Sequence, residues 1–301
     1  MPDCLQALRE ACAQVAARAR HVRVQEGSIP GYAGSLGPLG EHDDDHLHGG
    51  SREELAAFWL TLDAINFGSG WFPTLRKSAG RSGYSTVAAG IRDRFASLGP
   101  WSAEQLAAIE PAEIADVLGQ DPRHELIALF ADSLRDLGGH VGAGGFAAVL
   151  DAAGGSAVNL VERLADWSCF ADTSSYDGLE LPFLKRAQIA AADLQRAGIA
   201  RFGNLDRLTM FADNLVPHVL RLDGILRFDP ELVARIDHEE LIEHGSPEEV
   251  EIRACAVHAV ELIVAAQPGT TAAAVDQLLW LRGQEPRYKS VPRHRSRCTA
   301  Y

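Results

Sequence analysis

Apolar residues recur at helical spacing from the start of the chain. Leu5, Leu8, Cys12, Val15 and Ala16 predict a helix over residues 3–20, with Cys12 serving as a small hydrophobe. His21-Val22-Arg23-Val24 alternates briefly and predicts one short strand. Residues 27–50, rich in Gly, Pro, His and Asp, read as a loop. Ser51-Arg52-Glu53-Glu54 is a capping box. It opens a helix through Phe67, with Leu55, Trp59, Leu62 and Asn66 on one face and Gly68-Ser69-Gly70 as its stop. Ser102-Ala103-Glu104-Gln105 is a second box before a short helix. Residues 124–137 and 145–166 predict further helices, joined by a glycine-rich turn, Gly138 to Gly145. Pro182 suits the first position of a helix running to about Ala197. Asp206 to Leu220 reads as another helix, broken or kinked at Pro217. Ser246-Pro247-Glu248-Glu249 opens a helix to about Ala266 that is apolar on most sides and therefore expected to be buried. A last helix covers Thr271 to Arg282. With no repeat and no low-complexity linker, the expectation is an all-α protein. It would be one mainly helical domain over residues 1–301, with at most a short minor strand element.

Charge narrows the function classes. The 301 residues hold 28 Lys and Arg against 41 Asp and Glu, a net charge of −13. Gripping a nucleic-acid backbone normally needs a basic excess, so stable nucleic-acid binding is not expected. A small phosphorylated ligand needs only a few local cations and stays open. No apolar run approaches the roughly 20 residues of a membrane helix, and no membrane partner is expected. The first residues lack the charged start and apolar block of a secretory signal. The five cysteines include no CxxC pair and are odd in number, which favours free thiols in a reducing cytoplasm.

Several segments carry candidate chemistry. Glu41-His42-Asp43-Asp44-Asp45-His46-Leu47-His48 has the residue types of a Zn²⁺ or Mn²⁺ site. It lies on no element that would fix ligand geometry, so a solvated acidic loop is the expectation, with no metal. There is no HExxH and no G-x-S-x-G. The Gly138–Gly145 stretch lacks the preceding strand and the Lys-Ser/Thr ending of a phosphate loop. Three other segments put polar groups in apolar surroundings. In Leu208–Pro217, Asp213 is flanked by Met210, Phe211 and Val216, and its carboxylate is either a helix cap or a site residue. In Leu181–Ile189, Lys185 and Gln188 share a stripe. In Val275–Trp280, Asp276 and Trp280 stand four apart, an acid and an indole on one helix face.

Taken in order, these segments resemble the queuosine salvage family. The resembling blocks are Leu62-Asp63-Ala64-Ile65-Asn66-Phe67 with Trp71, Cys169-Phe170-Ala171-Asp172, and Phe183 to Ile189 with Ala192-Asp193. They continue with Thr209 to Asp213 and Val216-Pro217, Glu249 to Arg253 with Ala259 to Ile263, Asp276 with Leu279-Trp280, and His294 to Cys298 with Tyr301. The match covers about residues 50–301. Departures fall at Leu184, Asn214, Leu215, His218 and Leu281, positions that touch the pocket lining.

The resemblance implies a fold similar to the helical DNA glycosylases. It implies hydrolysis of the N-glycosidic bond of queuosine 5′-monophosphate, which frees queuine for tRNA modification, with water as acceptor and no cofactor. Asp213 would be the carboxylate facing the oxocarbenium-like ribose, as nucleophile or general base. Queuine is a 7-deazaguanine, so protonation at N7 is unavailable. Asp276 and Asp172 would take the donors of the base edge and its ammonium arm, and Phe211 and Trp280 would stack on the ring. Phe170 would contribute pocket surface, with Asn66, Phe67 and Trp71 each either pocket wall or core. Lys185, with His294, Arg295 or Arg297, would hold the 5′-phosphate. The alternatives are a helical DNA or RNA glycosylase, which the net charge disfavours, and a protein that binds the nucleotide without turnover.

Overall fold

The computed structural model describes residues 3–37, 46–47, 49–77 and 80–301. Among them are fifteen α-helices and four short strands. The strands form two antiparallel pairs, Val22–Val24 with Leu226–Phe228 and Thr173–Tyr176 with Leu179–Pro182. The mainly helical expectation and the short strand after the first helix both agree with this.

The capping signals act where the sequence places them. Ser51 and Glu54 close a reciprocal box at the head of helix Arg52–Ala64, and Ser102 and Gln105 do the same for Ala103–Ala107. Ser246 caps helix Pro247–Ala266, but Glu249 accepts from the Gly245 N–H, 3.0 Å away, rather than from Ser246. This 20-residue helix is the spine of the molecule and is buried through most of its length. Its acids are used internally. Glu251 accepts the backbone N–H groups of Arg20, His21 and Val22 and the Tyr176 hydroxyl, which fixes the chain as it leaves the first helix, Cys4–Arg18.

Apolar side chains gather in two cores. One is built from helices Arg52–Ala64, Glu125–Val141, Ala157–Ala165 and Lys185–Arg196. The other surrounds helix Pro247–Ala266 and takes in Cys4–Arg18, Leu215–Leu222 and Ala272–Arg282. Leu5 belongs to the first core and Leu8 to the second, so the N-terminal helix ties the two together.

Several local readings change, among them the 27–50 loop, which contains helix Ile29–Ser35. Helix Arg52–Ala64 stops three residues before Phe67, leaving Asn66 outside it. The stretch 145–166 is two helices, Phe146–Asp151 and Ala157–Ala165. Pro182 ends a strand rather than opening a helix, because Asp177-Gly178 turns the chain into a hairpin with both residues at positive φ. The helix then starts at Lys185, after Leu184 in the left-handed region at φ 48°. The predicted 206–220 helix is a 3₁₀ turn, Leu205–Arg207, then irregular chain to Asn214, then helix Leu215–Leu222. Pro217 sits in the first turn of that helix, where its missing N–H costs nothing. Within Gly138–Gly145, helix Glu125–Val141 runs on through Gly138, which abuts the backbone of Ala103 and Ala107 and leaves no room for a side chain.

Candidate active site

A cavity of about 950 Å³ opens between the two cores. Its walls come from Asn66 to Ser85, one side of helix Lys185–Arg196, the irregular stretch around Phe211 to Leu215, helix Ala272–Arg282 and the tail from Lys289 to Arg295. The tail is held close because Gly70 lies against the Ser296 carbonyl with no room for a Cβ, and the Gly68 N–H donates to the Tyr301 carbonyl. Among the described residues the lining holds seven Lys and Arg and four Asp and Glu. In a chain of net charge −13, this is a local reversal of sign.

The irregular stretch from Leu208 to Asn214 is buried, so its backbone needs partners that a helix would have supplied. Side chains provide them. Gln188 Oε1 accepts from the Thr209 N–H at 2.8 Å, Asp276 Oδ1 accepts from the Phe211 N–H at 3.0 Å, and Arg253 Nε donates to the Ala212 carbonyl at 3.0 Å. Asp213 follows in this frame. Its Oδ1 accepts from the Leu215 and Val216 N–H groups at 2.8 and 3.1 Å, capping the next helix. Its Oδ2 has no hydrogen bond among the described residues, and Asp213 lines the cavity. The two readings of this carboxylate therefore coincide: one oxygen caps and fixes, the other is presented.

Lys185 and Asp276 are Asp213's charged neighbours. Lys185 is placed by its own backbone N–H, which donates to Asp172 Oδ2 at 3.0 Å. Its Nζ donates to the Asn66 carbonyl at 2.8 Å and to Asn66 Oδ1 at 3.1 Å. Burial, aided by Arg186, pulls the ammonium down to about 8 against the pull of Asp213, Asp63 and Asp172. Burial, then the charge of Asp213, pushes the Asp276 carboxyl well above the usual range, opposed by the Phe211 N–H and by Lys185. Two carboxyls on one cavity thus meet different environments, the pattern that separates acid and base roles.

Residues 46–301 match the family model described as queuosine salvage protein. The chain belongs to the queuosine salvage family. Its relatives include a Sphaerobacter thermophilus protein, 36% identical over 266 residues, which span 83% of this chain and 82% of that one. A Schizosaccharomyces pombe protein is 30% identical over 278 residues, covering 82% and 80% of the two chains, and one from Mus musculus is 32% identical over 176, covering 52% of each. Each of these relatives is named queuosine 5′-phosphate N-glycosylase/hydrolase.

The blocks that resemble the queuosine salvage family converge on the cavity. Asp213, Phe211, Asp276, Trp280, Lys185, Asn66 and Phe67 all line it. The departures Asn214, Leu215 and Leu281 line it too, whereas His218 is buried beneath, bonded to the Tyr288 carbonyl. Five candidate residues stand elsewhere. Asp172 is buried behind the wall, paired with Arg253 at 2.6 Å and holding the Lys185 N–H, so it has no face for substrate. Phe170 is fully buried beside Arg186. Trp71 is core, its Nε1 donating to Glu125. His294 is buried, its imidazole pushed down to about 3 by burial, and Arg297 lies outside, 3.5 Å from Glu125 and over the Trp71 ring. The reason is parity. From Arg293 onward the tail alternates, with His294, Ser296, Cys298 and Ala300 buried and the residues between them turned outward.

Arg293 and Tyr84 also line the cavity and were not singled out by sequence, as do Asp193 and Tyr301, which belong to the resembling blocks but were given no role there. Of the histidine-rich loop, residues 41–45 and His48 lie outside the described residues. His46 is on the cavity, 2.8 Å from the Tyr84 hydroxyl, with its ring against Trp59. Among the described residues no three His, Cys, Asp or Glu side chains are grouped to hold a metal ion.

Proposed function

We propose that this chain hydrolyses the N-glycosidic bond of queuosine 5′-monophosphate and releases queuine. The observation that carries the reading is Asp213: a carboxylate with one oxygen locked on two backbone N–H groups and the other turned to a cavity whose charged lining is mainly cationic. The chain also spans most of the length of relatives that bear this activity in their name.

The chemistry follows from these groups. As the bond to the base breaks, positive charge grows on C1′ and O4′ of the ribose. Asp213 stabilises that charge without reorienting, because its helix cap is already made. Water completes the reaction, either directly or after a sugar ester forms on Asp213. The departing 7-deazaguanine cannot be protonated at N7, so its other edges must be held. Asp276, with Oδ1 tied to the Phe211 N–H, presents its remaining oxygen to the N1–H and N2–H₂ donors. Phe211 and Trp280 supply the stacking surfaces. Lys185 has one N–H left after serving Asn66 and holds a positive charge beside Asp213.

The whole chain is read as one catalytic unit that acts in the cytoplasm on a free nucleotide, without stable nucleic-acid binding. In support, all five cysteines are unpaired, and no helix among the described residues is long and apolar enough to cross a membrane. The test is incubation of pure protein with queuosine 5′-monophosphate and chromatography of the products. Queuine and ribose 5-phosphate in equal amounts support the reading; unchanged nucleotide contradicts it. A band-shift assay with duplex DNA and tRNA is expected to show no complex.

A further inference from the structure

We propose that Arg293 is the residue that binds the substrate's 5′-phosphate and sets the preference for nucleotide over nucleoside; the inference rests on the function proposed above. Most cations near Asp213 are committed elsewhere. Lys185 gives two donors to Asn66, Arg253 is held by Asp172 and Ala212, and Arg295 is 3.6 Å from Glu239. Arg293 differs. Its Nε is buried without a hydrogen-bond partner, and no carboxylate among the described residues lies within ion-pair distance. A buried Nε–H without an acceptor is costly, and such a donor is rarely left so unless a ligand or water completes it.

The backbone aims this side chain. Arg221 donates to the Pro292 carbonyl at 3.2 Å, Asn214 donates to the His294 carbonyl at 3.0 Å, and the Ile242 N–H donates to the Arg295 carbonyl at 2.9 Å. With the chain pinned on both sides and His294 turned into the core, Arg293 faces the cavity. Burial pulls the guanidinium below its ordinary value, and Asp213 opposes that pull, so the two groups sense each other without being paired. A ribose placed with C1′ at Asp213 carries its phosphate a few bonds away, and Arg293 lines the same cavity. The planar fork of an arginine fits two phosphate oxygens at once. Lys289, on the same tail and also lining the cavity, adds a second positive charge.

The test uses ribose 5-phosphate as a probe alongside the substrates. Arg293→Ala is expected to weaken ribose 5-phosphate binding, measured calorimetrically, by roughly ten- to a hundredfold, the loss of a charge-assisted contact. The ratio of kcat/KM for queuosine 5′-monophosphate to that for queuosine should fall by the same factor, with Arg293→Lys intermediate. Equal ribose 5-phosphate affinity in wild type and Arg293→Ala, or an unchanged nucleotide-to-nucleoside ratio, overturns the proposal. If ribose 5-phosphate binding depends on Arg293 but neither substrate is cleaved by wild type, the phosphate site stands and the proposed reaction falls.

Discussion

Asp213 and Asp276 bring the same functional group to one cavity, yet their surroundings ask different things of it. Asp213 is gripped by two helix N–H groups, while Asp276 is buried, bears a raised pKa and faces a like charge. If ionised Asp276 receives the donor edge of the base, protonating it as pH falls should weaken queuine binding. Asp276→Asn should flatten that dependence and lower kcat/KM by roughly ten- to a hundredfold, since a charge-assisted hydrogen bond is lost. Titrating queuine affinity against pH for both proteins checks this; the same slope in both would remove Asp276 from the base site. Lys185 makes the opposite prediction on the alkaline side. Its pKa is drawn down to about 8, so its charge beside Asp213 is lost as pH rises through that value. Turnover should therefore decline above about pH 8. Lys185→Arg should carry that decline to higher pH, and a limb left unmoved by the exchange would belong to another group. The sign for stability is reversed. The unfolded chain holds this proton more tightly, so the cost of burying the charged amine is relieved between about 8 and the ordinary lysine range.

At the scale of elements, most helices are legible in the sequence because caps and apolar spacing act locally. Ser51, Ser102 and Ser246 mark real starts. The stretch 206–214 is not legible, because its apolar residues mimic a helix while tertiary partners hold it open. Those partners, Gln188, Arg253 and Asp276, lie far from it in the chain. The same separation hid the task of Asp172. Sequence places an acid near the site but cannot say that it is spent on Arg253, whose guanidinium is also sandwiched by Phe183 and Tyr301 at 4.0 and 4.7 Å. The tail shows the reverse: the alternation from Arg293 to Ala300 is readable by eye once an extended segment is assumed, and it separates cavity cations from buried neighbours. Arg253→Met tests the frame. Removing one partner of a fully buried ion pair leaves Asp172 uncompensated, which typically costs about 3–5 kcal/mol. Urea unfolding should show a loss of that order, partly restored by adding Asp172→Asn. A loss below about 1 kcal/mol would show that the pair does not support the loop.

For the whole molecule, the two cores and the spine helix explain why one cavity brings together Asp213, Asp276, Lys185 and Asn66. Each core supplies one wall, and the stretch bearing Asp213 crosses between them. The chain's net charge of −13 contrasts with a charged lining that is mainly cationic, so an anionic nucleotide is drawn to the cavity. The central claim is that the free oxygen of Asp213 stabilises the breaking glycosidic bond. It is tested most directly by measuring queuine release from queuosine 5′-monophosphate with wild type and Asp213→Asn, with queuine affinity determined on the same samples. Asn can still accept from Leu215 and Val216, so the fold and base binding should persist. The account predicts a fall in kcat of about a thousandfold or more, the scale of a lost main electrostatic group, with queuine affinity within a few-fold of wild type. A folded variant that binds queuine and keeps more than about a tenth of the wild-type kcat would contradict it.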